Sequence, residues 1–261
     1  MKAVFFDIDN TLWDEKFVIP DSVKTAIDGL HKKGHLAFIC SGRTRCNIRD
    51  PRLLALGFDG ILAGCGTYIE KDGKVIFEYK MEQDLIRRLF GLMLEEGMKV
   101  LMEGSKYMYA DFAAFVGNDY IDYIQDTVGD CLLPTAGNEG SYDISKMSAE
   151  IAGGDVERLR RELGEEIDVI QHDPNIMEVV PKGYNKATGI AHVCQLLGIR
   201  QEDTLAFGDS VNDLDMLRYV GCGIAMGNGM EAAKEAADYV TDSVREDGIY
   251  NALVKLAVID R

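Results

Sequence analysis

No stretch of this chain approaches the roughly 18 consecutive apolar residues that a membrane-spanning helix needs, although hydrophobic residues make up 47% of its 261 positions. No two cysteines have the two-residue spacing of a zinc knuckle or a redox motif. Cys40, Cys46, Cys65, Cys131, Cys194 and Cys222 are scattered, which reads as buried thiols in a reducing cytosol. Positive charge is scarce: 28 Lys and Arg face 44 Asp and Glu, a formal net charge of -16. That balance argues against nucleic acid or an anionic membrane as the main partner, because both are held through basic patches. The first residues, one lysine ahead of a short apolar run broken by carboxylates, do not read as a secretory signal. Internal repeats and low-complexity tracts are also missing. The expectation is a cytoplasmic protein, monomeric or a small homo-oligomer, acidic enough to hold a divalent cation.

What is present alternates. Ala3-Phe6 reads as a strand, Asp21-Lys33 as a helix with Val23, Ala26, Ile27 and Leu30 on one face, and Gly34 as its stop. Leu36-Cys40 is a second strand, and a helix is predicted over Thr44-Leu56. Ile69-Phe77 reads as a hairpin around Lys71-Asp72-Gly73. From about Glu82 the texture changes to a helix (Asp84-Glu96), strands (Lys99-Glu103, Lys106-Tyr109), a loose stretch, a strand (Ser145-Ile151), a helix (Val156-Leu163) and two strands (Asp168-His172, Ile176-Val180). After Pro181 the first texture returns: a helix over Lys186-Leu197, the strand Thr204-Phe207, a helix through Asp213-Tyr219, the strand Gly223-Met226, then Glu231-Ala237, Tyr239-Thr241 and Tyr250-Leu256. Short all-apolar strands alternating with helices predict an α/β fold, a Rossmann-like parallel-sheet core with helices on both faces. Residues 1-81 and 182-261 would form the two halves of that core, and 82-181 an inserted α+β cap domain.

Open α/β sheets bind ligands at the carboxyl ends of their strands, and three predicted strands end in polar clusters. The first gives Asp7-Ile8-Asp9-Asn10-Thr11, the second Ser41-Gly42-Arg43, and a later one Gly208-Asp209-Ser210-Val211-Asn212-Asp213. Strand alternation would turn Asp7 and Asp9 to one side, where two like charges repel by about 4 kcal/mol at 4 Å and an effective dielectric of 20. A calcium loop does not fit, since its glycine and glutamate positions, counted from Asp7, hold Leu12 and Val18. Lys186 opens a predicted helix, where a cation opposes the helix dipole and points to an anion nearby. Taken singly, each cluster has an ordinary reading as a turn, a cap or a solvated side chain. Their order and their places at strand ends are what carry weight.

In that combination the chain resembles the haloacid-dehalogenase-like superfamily, and within it the Cof-type, class IIB sugar-phosphate phosphatases. Asp7-Ile8-Asp9-Asn10-Thr11 resembles the first motif of the family, Cys40-Ser41-Gly42-Arg43 the second, Lys186 within Gly183-Tyr184-Asn185-Lys186 the third, and Gly208-Asp209-Ser210-Val211-Asn212-Asp213 the fourth. One departure is Gly64-Cys65-Gly66-Thr67, where many relatives carry Asn-Gly-Ala. The resemblance implies a magnesium-dependent phosphatase acting on a small phosphorylated metabolite such as a sugar phosphate. Asp7 would be the nucleophile that becomes an aspartyl-phosphate, and Asp9 the general acid and base. Magnesium would be held by Asp7, Asp209 and the backbone carbonyl of Asp9, with Asp213 a further ligand or holding the metal's waters. Ser41, Gly42, Lys186 and Asn212 would bind the phosphoryl group, and Thr11 would brace the Asp7 loop. The inserted domain would act as a cap over the site, with Tyr107, Tyr109 and Asp111 either touching substrate or forming a strand with alternating aromatic packing, and His172 as a structural residue. Two other readings share these features. A sugar phosphomutase would need cap arginines, among Arg87, Arg88, Arg158, Arg160 and Arg161, for a second phosphate. A non-catalytic, phosphate-binding regulatory domain would have no use for Asp9.

Overall fold

The computed structural model describes residues 1–261. The elements in chain order are β1 (Ala3–Phe6), α1 (Asp21–Lys32), β2 (Leu36–Cys40), α2 (Pro51–Leu54), β3 (Gly60–Ala63), β4 (Tyr68–Lys71), β5 (Lys74–Glu78), α3 (Gln83–Glu95), β6 (Lys99–Glu103), β7 (Met108–Ala110), α4 (Asp119–Val128), β8 (Leu132–Pro134), β9 (Lys146–Glu150), α5 (Val156–Leu163), β10 (Ile167–Gln171), β11 (Ile176–Pro181), α6 (Lys186–Leu197), β12 (Thr204–Gly208), α7 (Leu214–Tyr219), β13 (Cys222–Ala225), α8 (Glu231–Ala236), β14 (Tyr239–Val240) and α9 (Gly248–Lys255). Contacts divide them into two units. One comprises Met1–Gly42, Asp50–Phe77 and Asn185–Arg261; the other comprises Arg43–Arg49 and Glu78–Tyr184.

In the first unit an eight-stranded sheet runs in the order β14-β13-β12-β1-β2-β3-β4-β5. The pairs from β14 through β3 are parallel, and β4 returns antiparallel. Strand β1 is AVFF with every residue buried, as a strand covered on both faces requires. Phe6 stacks on Phe207 of β12 at 5.2 Å between centroids, and Phe5 on Phe38 of β2 at 5.3 Å. The chain proceeds from β1 to β2 on one side and returns with β12 on the other. The edge beyond β1 and β12 is therefore a topological switch point, where such sheets open a crevice. Register fixes what lies there: Phe6 pairs with Phe207 and with Ile39, so Asp7, Gly208 and Cys40 leave the sheet at one level.

Helix α6 packs on the β3–β4 turn at backbone distance. A Cβ on Gly189 would lie 2.8 Å from Gly66 Cα, and one on Gly66 would lie 2.6 Å from the Asn185 carbonyl oxygen. Gly66 also has φ +85°, a conformation that favours glycine. This close approach sets the height of the helix start that carries Lys186.

The second unit is a six-stranded sheet in the order β10-β11-β9-β6-β7-β8, antiparallel except where β7 runs parallel to β8. Leu89, Met93 and Leu159 of α3 and α5 cover one face together with Met102, Met147 and Met177. Helix α4 packs Ile121, Ile124 and Val128 against Leu101, Met108 and Ala110.

Two expectations about elements are corrected. The helix predicted over Thr44-Leu56 is a 3₁₀ turn at Arg45–Asn47 followed by the single helical turn α2. Pro51 disfavours a helical conformation at Asp50, which adopts φ -58°, ψ 119° and caps α2 through the Arg52 N–H. The stretch read as loose before Gly137 contains α4, whose N-terminus Asn118 caps by accepting from the Tyr120 and Ile121 N–H groups. Its apolar spacing was diluted by four acidic and amide side chains within DYIDYIQDTV.

The close α6 approach generates a prediction. Gly189→Ala should cost about 1–3 kcal/mol, the range for overpacking a tight interior, and urea unfolding would measure it. An unchanged midpoint would show that α6 can lift away without penalty.

Candidate active site

Asp7 follows the last residue of β1, and its N–H extends the ladder by donating to the Phe207 carbonyl at 3.0 Å. Because β1 stops at Phe6, strand alternation does not extend to Asp9. The chain turns instead, with the Leu12 N–H on the Ile8 carbonyl at 2.9 Å and Asn10 at φ 55°. Asp9 accepts from the Trp13 indole Nε1–H at 3.0 Å. Thr11 is fully buried and its hydroxyl donates to Asp209 Oδ1 at 3.3 Å. The expected brace therefore reaches the fourth motif rather than closing on its own loop.

Asp209 follows β12, and Asp213 ends the 3₁₀ turn Val211–Asp213. Asp213 Oδ2 accepts from the N–H groups of Asp209 at 2.9 Å and Ser210 at 3.0 Å. Gly208 is required beside it, because a Cβ there would lie 2.6 Å from the Asp213 carboxyl carbon. Asn212 Oδ1 accepts from the Ser210 hydroxyl at 2.9 Å.

Lys186 is the first residue of α6, and it is buried. Asn185 precedes it as N-cap, accepting from the Thr188 N–H, while its own Nδ2 donates to Asp215 at 2.9 Å. Lys186 Nζ donates to Asp7 Oδ1 and to Asp213 Oδ1, each at 2.6 Å. The anion inferred from the position of Lys186 at a helix start is thus a pair of carboxylates. Ser41 is buried at the end of β2; its N–H donates to the Leu62 carbonyl, and its own carbonyl accepts from the Cys65 N–H at 3.2 Å. Cys65 holds φ 54°. The thiol of Cys40 is pushed up by burial, with Lys186 opposing and Asp213 and Asp7 reinforcing that shift.

Oxygens of Asp7, Asp209 and Asp213 all lie within 4.8 Å of one another, and all three residues are buried. One ammonium group cannot balance three carboxylates there. Burial pushes Asp7 well above the usual carboxylate range; Lys186 pulls it back, and Asp213, Asp209 and Asp9 push it further up. Burial, then Asp213, raises Asp209 to about 7, against the pull of Lys186 and the Thr11 hydrogen bond. Burial alone would strip Lys186 of its proton, but Asp213 and Asp7 outweigh it and hold the ammonium well above its ordinary value. A converging set of hard oxygen donors with unbalanced negative charge fits a divalent cation such as magnesium.

Sequence reasoning missed several supporting residues. Trp13 orients Asp9, and its spacing of four from that acid was a local signal. Asn185 and Thr188 form a capping pair legible as Asn-x-x-Thr. Asp14 accepts from the Lys16 and Val18 N–H groups and from Arg245 Nε at 2.8 Å. Asn228 donates to the Asn10 carbonyl and accepts from the Val244 N–H, each at 2.8 Å; no pattern in the sequence announces that bridge. Among the cap candidates, Tyr109 follows the packing reading. It is buried edge-on to Tyr142 at 5.1 Å, within the apolar cluster beneath α3 and α5. Tyr107 is exposed, and Asp111 accepts from the Ala113 N–H in a turn. His172 Nε2 stands 3.4 Å from Glu178.

The carboxylate cluster makes a pH prediction. Asp209 binds its proton more tightly folded than unfolded, with about 7 against 3.8. Its contribution to stability is complete below the unfolded value and is lost as pH rises through the folded one. Metal-free wild type should therefore lose melting temperature relative to Asp209→Asn between pH 4 and 7. Parallel melting curves for the two proteins over that window would contradict the assignment.

Comparison with known proteins agrees with this geometry. The family model for haloacid dehalogenase-like hydrolases matches residues 4–253. The Bacillus subtilis protein YkrA is 32% identical over 99% of this chain and 98% of its own. The 5-amino-6-(5-phospho-D-ribitylamino)uracil phosphatase YcsE of the same organism is 27% identical over 97% of this chain and 94% of its own. The solved structure of BT4131, a subclass IIB sugar phosphatase, superposes with a TM-score of 0.86 at 27% identity, over 99% of this chain and 100% of that one. No helix is long and apolar enough to cross a membrane. With its parallel sheet, its inserted mixed sheet and its converging carboxylates, the chain belongs to the haloacid dehalogenase-like hydrolase family.

Proposed function

We propose that this phosphatase of the haloacid dehalogenase-like family hydrolyses a small phosphorylated polyhydroxy metabolite, of the sugar-phosphate class, through an aspartyl-phosphate on Asp7. The observation that carries the proposal is the meeting of Asp7, Asp209 and Asp213 within 4.8 Å, with Lys186 Nζ joining the first to the last. The substrate class rests on relatives: one dephosphorylates a phosphoribityl compound and another is a sugar phosphatase.

In this reading one oxygen of Asp7 attacks phosphorus in line with the departing alcohol. Asp9 gives that alcohol a proton, then takes one from the water that hydrolyses the acyl phosphate. The Trp13 hydrogen bond fixes one carboxyl oxygen of Asp9 and so orients the carboxyl group for that transfer. Lys186 and the Ser41-Gly42 turn grip the non-reacting phosphate oxygens and offset the charge gathering on them, and Asn212 assists from the opposite tip. Asp7, Asp209 and the Asp9 carbonyl would hold magnesium, with Asp213 holding Lys186 and the ion's waters; when bound, the ion screens the anionic nucleophile from the anionic phosphate.

The phosphomutase alternative loses support from the arginines it needs. Arg87 and Arg88 pair with Asp84, Arg88 also with Glu166, Arg158 with Glu95, Glu96 and Glu162, Arg160 with Glu157, and Arg161 with Asp155. Each is already occupied by an acid of its own unit.

Three outcomes are expected in phosphate-release assays with sugar phosphates. Asp7→Asn lowers kcat by about 10³-fold or more, as removal of a nucleophile does, whereas wild-type-like turnover would sink the nucleophile assignment. Asp9→Asn lowers kcat by about 10²–10⁴ with trapped phosphoprotein in rapid-quench samples; its absence at full turnover would remove Asp9 from the proton path. Chelation abolishes turnover and added magnesium restores it without any bisphosphate activator, and a strict need for such an activator would favour the mutase.

A further inference from the structure

Cys46 lies in the 3₁₀ turn Arg45–Asn47, and Cys131 ends the 3₁₀ turn Gly129–Cys131 between α4 and β8. Both belong to the second unit. Cys46 is buried in the apolar cluster with Ile121, Ile124 and Leu132, and Cys131 packs against that cluster from its partly exposed edge. Burial raises Cys46, and the neighbouring Cys131 thiol adds to that upward shift. A single guanidinium nitrogen, Arg49 Nη2, stands 3.0 Å from Cys131 Sγ and 3.9 Å from Cys46 Sγ. Arg49 Nε donates to the Cys46 carbonyl at 2.8 Å, which fixes the cation over the pair.

The thiolate is the nucleophilic form of cysteine, and Arg49 places a cation beside both sulfurs. The two sulfurs are not equivalent. Cys131 is half exposed and within reach of a small oxidant, whereas Cys46 is buried and its thiol donates to the Lys106 carbonyl at 3.2 Å. Burial pushes Cys46 up to about 11, with Arg49 opposing that shift. Of the remaining thiols, Cys40, Cys65 and Cys194 are buried, and Cys222 is half-buried in the first unit.

We propose that Cys46 and Cys131 form a dithiol site that hydrogen peroxide converts to an intramolecular disulfide. The Cys131 thiolate attacks one peroxide oxygen. The O–O bond breaks, hydroxide leaves and takes up a proton to become water, and Cys131 becomes a sulfenic acid. The Cys46 sulfur then attacks the Cys131 sulfur. The S–O bond breaks, and the hydroxyl departs with the Cys46 proton as a second water. Two thiols lose two electrons, and one peroxide gains them.

The bond would close a loop within the second unit, tying the segment Arg43–Arg49 to the beginning of β8. That segment follows Ser41-Gly42 in the chain, and its Arg43 Nη1 already donates to the Tyr123 hydroxyl of α4 at 2.7 Å. Oxidation would therefore restrain a segment that is one residue from the proposed phosphate-binding turn.

The test is peroxide treatment of the full chain, followed by intact mass and a non-reducing peptide map. The expected result is loss of two hydrogens, a cross-link between the Cys46 and Cys131 peptides, and reversal by dithiothreitol. Cys46→Ser should leave Cys131 as a sulfenic acid that dimedone traps. Arg49→Gln should slow cross-linking several-fold, and Arg49→Lys should restore part of the rate. Consumption of Cys131 without the cross-link, or over-oxidation of Cys131 as fast in wild type as in Cys46→Ser, would overturn the proposal. All of these readouts follow sulfur, so they stand or fall independently of phosphatase activity.

Discussion

The ammonium of Lys186 held between Asp7 and Asp213, each at 2.6 Å, is the interaction on which the rest of the site depends. Removing one partner from a buried charge cluster costs far more than the cluster contributes as a whole, because the remaining charge is left in low dielectric. Here the balance is incomplete even with every partner present, since Asp209 adds a third buried carboxylate. The fold tolerates this excess only by surrounding it with donors: the Thr11 hydroxyl on Asp209, and the backbone N–H groups of Asp209 and Ser210 on Asp213. Such a set of carboxylates could hold a divalent cation.

Everything that positions those four groups comes from the parallel sheet and from one helix. The register of β1 with β12 and β2 places Asp7, Gly208 and Cys40 at one level. Helix α6 reaches the same level because Gly66 and Gly189 let its first turn lie against the β3–β4 turn. The Asn185 cap and its bond to Asp215 hold that turn in place. The cation is thus delivered by the end of a helix whose dipole disfavours it, and the carboxylates repay that penalty at short range.

Much of this was legible in the sequence, because the groups proposed to do the chemistry lie at strand ends, where hydrophobic runs stop abruptly. Asp7 after VFF, Ser41 after FIC and Asp209 after AFG each mark such a stop. Four short motifs then supplied the resemblance, and the family comparison agrees with it. What was not legible depends on three-dimensional proximity. Nothing near Asn228 in the chain announces its bridge from Asn10 to Val244. Tyr109 was open between substrate contact and packing because an aromatic strand residue has the same sequence appearance on either face; its face is the one under α3 and α5. The helix predicted over Thr44-Leu56 failed at Pro51, whose ring disfavours a helical conformation at Asp50. The scattered cysteines looked inert because only folding brings Cys46 and Cys131 to one guanidinium group.

The central claim is that buried acids from both ends of the chain share one hydrated dication. Anomalous diffraction from crystals soaked in manganese, a stand-in for magnesium, tests it most directly. The account predicts a single strong peak within coordination distance of carboxylate oxygens from both Asp7 and Asp209, lost in Asp209→Asn. A peak elsewhere, or none at saturating manganese while phosphate release continues, would contradict it.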